Sequence, residues 1–136
     1  MLNTENQNRF FEVSKLYNKL SQKCFHKDKK FASFALFAEA LNHYEFISQQ
    51  KLSDFVGCNK AYTCRTLFKM QLSGYLQPII AKKPIALTEK GKEFAVNVEN
   101  ERKRLQAKVF EGITKEEDET LKRVVDKIIS NMNKLD

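Results

Sequence analysis

The sequence predicts a mainly α-helical fold: a winged helix-turn-helix with a small β-hairpin wing and further helices before and after it. Three observations carry this. Apolar residues recur at three-to-four spacing through most of the 136 residues. Gly57, Gly74 and Gly112 each follow such a stretch, where a left-handed residue ends a helix. The interval 75–87 breaks the helical spacing with two short β-branched runs punctuated by Pro78 and Pro84.

Taken in order, residues 8–23 place Phe10, Phe11, Val13, Leu16, Tyr17 and Leu20 on one side of a first amphipathic helix. Residues 24–30 break the period and form a polar connection. Residues 31–45 hold Phe31, Phe34, Ala35, Phe37, Ala38, Leu41 and Tyr44. Apolar positions cover most of that circumference, so this helix is expected at the centre of the domain. Ser48 suits the N-cap of a short helix at 49–56, with Leu52, Phe55 and Val56 inward. Asn59 suits the cap of the next, at 60–72. Two short helices joined through a glycine suggest a helix-turn-helix.

Residues 75–80 and 84–87 bracket Ala81, Lys82 and Lys83 as a small hairpin. Neither proline can donate to a ladder, so both strands must be edge-like or irregular. Thr88 caps a long helix over 89–111, with Glu89 in its positive first turn. Gly91 would cost that helix about 1 kcal/mol relative to alanine. Thr114 and Glu117 form a capping box for a last helix, with Asp118–Lys122 and Glu119–Arg123 as i,i+4 pairs. Its apolar stripe is Leu121, Val124, Val125, Ile128, Ile129, Met132 and Leu135.

Composition excludes several classes. The length fits one domain. No apolar run approaches the ~18 residues of a membrane span, and the N-terminus has no signal-peptide pattern. Three cysteines without a CxxC spacing point to a reducing, cytoplasmic setting. Cys58 and Cys64 are too far apart for the usual zinc pair, and His26 and His43 do not suggest a metal site. With no Ser/His/Asp or Cys/His/Asn set, no P-loop and no GxGxxG, an enzyme is not expected, and no cofactor is expected. The charge is more telling. Between Asp54 and Glu89 lie 34 residues with five basic side chains and no acidic one, most of the net +7. Such a bias, confined to a helix, a stop and a hairpin, is what a phosphate backbone selects.

The stretch LSDFVGCNKAYTCRTLFKMQLSGYL, followed by PIALTEKGKEFA, resembles the MarR family of bacterial transcriptional regulators. Arg65, Leu67, Met70, Gly74, Tyr75 and Leu76 fit the family's recognition helix and entry to the wing. Leu87, Thr88, Glu89, Lys90 and Gly91 match the "LTxKG" opening of its linker helix, and residues 112–117 match the entry to its last helix. The resemblance runs from end to end. It implies one domain over 1–136, with a DNA-binding lobe at 31–87 and a helical dimerisation region at 1–23 and 89–136. It implies a homodimer, paired through its first and last helices, with two recognition helices in successive major grooves of double-stranded DNA. It also implies a small apolar or phenolic ligand between the dimer helices and the lobe. Phe10, Phe11, Phe31, Phe34, Phe37 and Tyr44 are candidates to line that cleft, against the plainer reading that they are core. The family's wing carries an arginine at its tip, whereas this wing is short and has Lys82 and Lys83.

A recognition helix presents its N-terminal half to base edges and its flanks to phosphates. Asn59, Lys60, Tyr62, Thr63, Arg65 and Thr66 have suitable chemistry, with Arg65 the candidate for guanine or for a phosphate. Lys69, Lys82 and Lys83 are phosphate candidates. Cys24, near four lysines, is a candidate redox site, against a plain thiol. The expected function is a sequence-specific transcriptional regulator, a homodimeric repressor released by a ligand or other signal. The alternatives are a winged-helix adaptor or anti-repressor, and a thiol-based redox-sensing regulator.

Overall fold

The core gathers around one helix, as the apolar circumference of residues 31–45 predicts. The computed structural model describes backbone over residues 4–25 and 29–135, and side chains over 4–20 and 33–135. Within these residues run α1 (Thr4–Phe25), α2 (Lys29–His43), α3 (Gln49–Val56), α4 (Lys60–Leu72), α5 (Glu89–Val109) and α6 (Lys115–Asn133). The first two helices are longer at their facing ends than the sequence predicts. What is left of the polar connection, 26–28, lies outside the described residues. No described helix is long and apolar enough to cross a membrane. The chain divides into two compact units, Met1–Leu105 and Gln106–Asp136.

In the first unit, Phe34, Phe37, Ala38 and Leu41 of α2 pack with Leu52 of α3 and with Leu67 and Met70 of α4. Leu76, Ile85, Leu87 and Ala95 complete the cluster. Phe37 is fully buried, and truncating such a side chain to alanine costs about 3–5 kcal/mol. The circumference of α2 is less fully covered than predicted, since Leu36 and Tyr44 are both exposed.

The short helices are set by their ends. Ser48 Oγ accepts from Lys51 N–H at 3.2 Å, and Asn59 Oδ1 accepts from Tyr62 N–H at 2.7 Å. Gly57 sits at φ +78° and donates, with Cys58, to Ser53 O. That left-handed residue turns the chain from α3 into the cap of α4 with a single residue between them. Gly74 and Gly112 adopt the same conformation, at φ +82° each. One inward prediction fails: Phe55 is exposed and rests against the rings of Tyr44 and Phe46, at 5.1 and 5.3 Å. Leu52, Ser53 and Val56 already occupy the face of this eight-residue helix that meets the core.

The predicted hairpin strands reduce to one antiparallel bridge, Leu76 with Leu87. Gln77 N–H donates to Ala86 O at 2.9 Å, and Ile85 N–H reaches Phe46 O at 2.9 Å. Beyond these, Pro78 and Pro84 have no N–H to extend a ladder. The wing is therefore fixed at its base and irregular toward its tip.

The start of α5 is clamped onto that base. Thr88 Oγ1 accepts from Gly91 N–H at 3.1 Å and donates to Gly74 O at 2.6 Å. Thr88 N–H donates to Tyr75 O at 3.0 Å. Lys90 Nζ donates to Ser73 O at 3.0 Å, placing a cation on the carbonyl end of α4, and lies 4.8 Å from the centre of the Tyr75 ring. Gly91 is buried there. A Cβ at this position would overlap the Tyr75 carbonyl oxygen and approach its carbon to 3.0 Å. The helix cost of glycine is thus exchanged for a close backbone approach.

In the second unit the Thr114–Glu117 capping box forms in both directions, at 3.1 Å each. These hydrogen bonds, backbone first and side chain second, hold the Glu117 carboxyl below its ordinary value of 4.5. The two predicted ion pairs are replaced. Lys122 pairs with Asp126 at 3.0 Å, and Arg123 donates to Thr120 at 3.4 Å. Asp118 and Glu119 lie in the first turns, where the helix's own free N–H groups attract carboxylates. Either arrangement is exposed and contributes about 0.3–0.5 kcal/mol.

Two outcomes follow. Gly91→Ala should destabilise the fold by about 2–3 kcal/mol through overpacking against backbone. Urea unfolding reads this as a lower midpoint, and an unchanged midpoint refutes the close-approach argument. Because the Glu117 carboxyl is held low in the folded state, its contribution is complete above pH 4.5 and fades as pH falls through the lowered value. Glu117→Gln should make the helical signal less sensitive to pH below 4.5; identical acid profiles would contradict the capping box.

Candidate nucleic-acid interface

The site is built on α4, whose two faces differ sharply. Thr63, Thr66, Leu67 and Met70 are buried. Thr63 is fully buried and donates its hydroxyl to Asn59 O at 3.0 Å, and Thr66 is 4% exposed. The expectation that these two threonines face a ligand is therefore corrected: they lie in phase with Leu67 and Met70 and belong to the core side. The remaining predicted positions, Asn59, Lys60, Tyr62, Arg65 and Lys69, are exposed. The Asn59 carbonyl oxygen is committed to the cap, which leaves its NH₂ group as donor. Tyr62 is 37% exposed and lies 6.2 Å from the Phe37 ring, so it is half packing and half surface.

Lys60, Arg65 and Lys69 form the cationic part of the solvent side, in a segment where no carboxylate is near in sequence. Lys82 and Lys83 are exposed at the wing tip, where Lys83 N–H closes a turn onto Ile80 O at 3.2 Å. Lys82 holds φ at +65°. The left-handed region costs a side-chain-bearing residue about 1–2 kcal/mol, and turns of this kind favour glycine or asparagine. A lysine there keeps charge at the tip against a backbone preference.

Sequence reasoning passed over Phe68 and Leu72, which are 61% and 72% exposed on the same side of α4 as Arg65. Their signal was present: Cys64, Phe68 and Leu72 repeat at i,i+4, out of phase with Thr63, Leu67 and Met70. Cys64 is exposed, while Cys58 is half-buried against the core. The Cys24 side chain lies outside the described residues. Among the described residues no group of three or more His, Cys, Asp or Glu side chains is placed to hold a metal ion.

The aromatic residues proposed for a ligand cleft do not gather. Phe34 and Phe37 are core, Phe10 and Phe11 are exposed on α1, and Phe31 lies outside the described side chains. Tyr44 instead lines a pocket of about 320 Å³ with Leu36, Glu39, His43, Phe55 and Arg102. Arg102 Nε donates to Glu39 at 2.6 Å. Beside it, Glu99 takes Lys103 and His43, each at 3.3 Å. The hydrogen bond from Lys103, aided by His43, holds the Glu99 carboxyl below its ordinary value despite partial burial.

No family model matches the chain, and no curated protein matches it in sequence. Solved structures do match it. A MarR family protein from Bacillus stearothermophilus is similar at TM-score 0.78 and 18% identity, over 98% of this chain and 99% of that one. A MarR transcriptional regulator from Methanosarcina mazei matches at TM-score 0.76 and 21% identity, over 100% and 95%. Staphylococcus aureus MarR, solved with salicylate and kanamycin, matches at TM-score 0.77 and 19% identity, over 96% and 92%. At these identities the likeness is one of fold, and the chain carries, nearly end to end, the winged-helix fold of MarR family regulators.

Proposed function

We propose that the protein is a sequence-specific, DNA-binding transcriptional regulator, a homodimeric repressor released by a small ligand or another signal. The observation that carries this is the solvent side of α4, where Arg65 sits between Lys60 and Lys69 on a capped helix in an acid-free segment. Cations so placed neutralise phosphates and leave one guanidinium to read a base edge. In this reading residues 31–87 form the DNA-binding lobe, and Lys82 and Lys83 hold phosphate beside it. Residues 1–23 and 89–136 form the dimerisation region. Support for pairing comes from apolar side chains left exposed at both ends. These are Phe10, Phe11, Val13 and Leu16 on α1, and Leu121, Val124, Ile129 and Met132 on α6. The 320 Å³ pocket, where Leu36, Val56, Phe55 and Tyr44 meet His43 and the Glu39–Arg102 pair, suits a small ligand with an apolar or phenolic body.

Selection of bound duplexes from a random pool tests the reading. A dimer making six to ten phosphate contacts should lose roughly 10³–10⁵-fold in affinity between 50 and 200 mM salt. Arg65→Ala should cost about 1–3 kcal/mol on the selected site and relax its sequence preference. Absence of enrichment at low salt would instead favour an adaptor that binds protein.

A further inference from the structure

The solvent side of α4 is cationic at its edges and apolar along its middle. At 3.6 residues per turn, Ala61, Arg65, Phe68 and Leu72 fall within roughly 60° of one another around the helix. All four are exposed, Phe68 at 61% and Leu72 at 72%. Lys60 lies on one side of this stripe and Lys69 on the other, and both are exposed. The occupant of such a surface must be anionic at its rims and apolar between them.

A DNA major groove has that pattern. Phosphates line its two edges, it is wide enough for one helix, and the thymine C5-methyl is the apolar group presented on its floor. An acidic protein with an apolar centre would share the charge. DNA is favoured because Arg65, at the Lys69 edge of the stripe, lies between Ala61 and Phe68 along the axis, where a protein's apolar centre covering both would leave its guanidinium desolvated. A guanine offers that guanidinium two acceptors, O6 and N7, on the same groove floor that carries the methyl groups of neighbouring thymines. Along the axis Ala61 lies about 6 Å before Arg65 and Phe68 about 4.5 Å after it, at ~1.5 Å per residue. With base pairs ~3.4 Å apart, these distances are one to two steps. Leu72 lies about 10 Å beyond Arg65, toward the end of the helix that recedes from the bases.

We infer that Phe68, with Ala61, contacts thymine methyl groups on either side of the base pair read by Arg65. The half-site then carries thymines within about two base pairs of that position. The inference rests on the DNA-binding reading and adds Phe68 as a residue that determines specificity.

The test uses the full chain and its selected duplex, resynthesised with deoxyuridine in place of thymine. Pairing is kept and only the methyl groups are removed. Wild-type affinity should fall about fourfold for each contacted thymine, the transfer free energy of one carbon group expressed as a ratio. Phe68→Ala should bind the thymine and uracil forms equally at the position Phe68 contacts. Equal wild-type affinity for both duplexes overturns the inference without touching the DNA-binding reading, and leaves the stripe to a protein partner. An undiminished uracil penalty in Phe68→Ala removes Phe68 from the role. The wild-type comparison needs no variant, so it stands whatever Phe68→Ala does to folding. A selection with no enrichment overturns the DNA-binding reading, and this inference with it.

Discussion

The approach of Gly91 to the Tyr75 carbonyl is the constraint on which the lobe depends. Only a residue without Cβ lets the first turn of α5 lie against the backbone that leaves α4. With that approach made, Thr88 reaches both Gly74 and Gly91, and Lys90 reaches Ser73. The chain leaving α4, the foot of the wing and the start of α5 become one hydrogen-bonded unit. Leu76 and Leu87 sit directly beside it, both buried, so the core and the clamp support each other.

Local signals were legible in the sequence. Ser48, Asn59, Thr88 and Thr114 cap the helices they precede, because a cap depends on a side chain and a backbone N–H two or three residues away. The glycine stops at 57, 74 and 112 were readable for the same reason. Gly91 was not readable from propensity, since its reason is a contact made by Tyr75, sixteen residues earlier. The wing was legible as an irregular pair of edges, but its reduction to one bridge follows from where two prolines fall in the final register.

The site was legible by chemistry and partly misread by phase. Thr63 and Thr66 have the right functional groups, yet they share a face with Leu67 and Met70, and the hydrophobic effect places that face inward. Phe68 and Leu72 were overlooked because apolar residues at helical spacing are ordinarily core. On a helix with one side already filled by Thr63, Thr66, Leu67 and Met70, they had to go to the other. Phe55 makes the same point on α3, where an eight-residue helix has one side to bury and more apolar residues than fit it.

The clamp at Thr88 also makes α5 a lever. From Glu89 to Arg102 the helix runs about 20 Å, at ~1.5 Å per residue. Its near end is pinned to the exit of α4, and Arg102, about two turns before its far end, lines the pocket with Glu39. A tilt of about 10° over that arm displaces one end relative to the other by about 3.5 Å. A few degrees of reorientation where Arg102 meets Glu39 therefore amounts to ångströms where Lys90 meets Ser73.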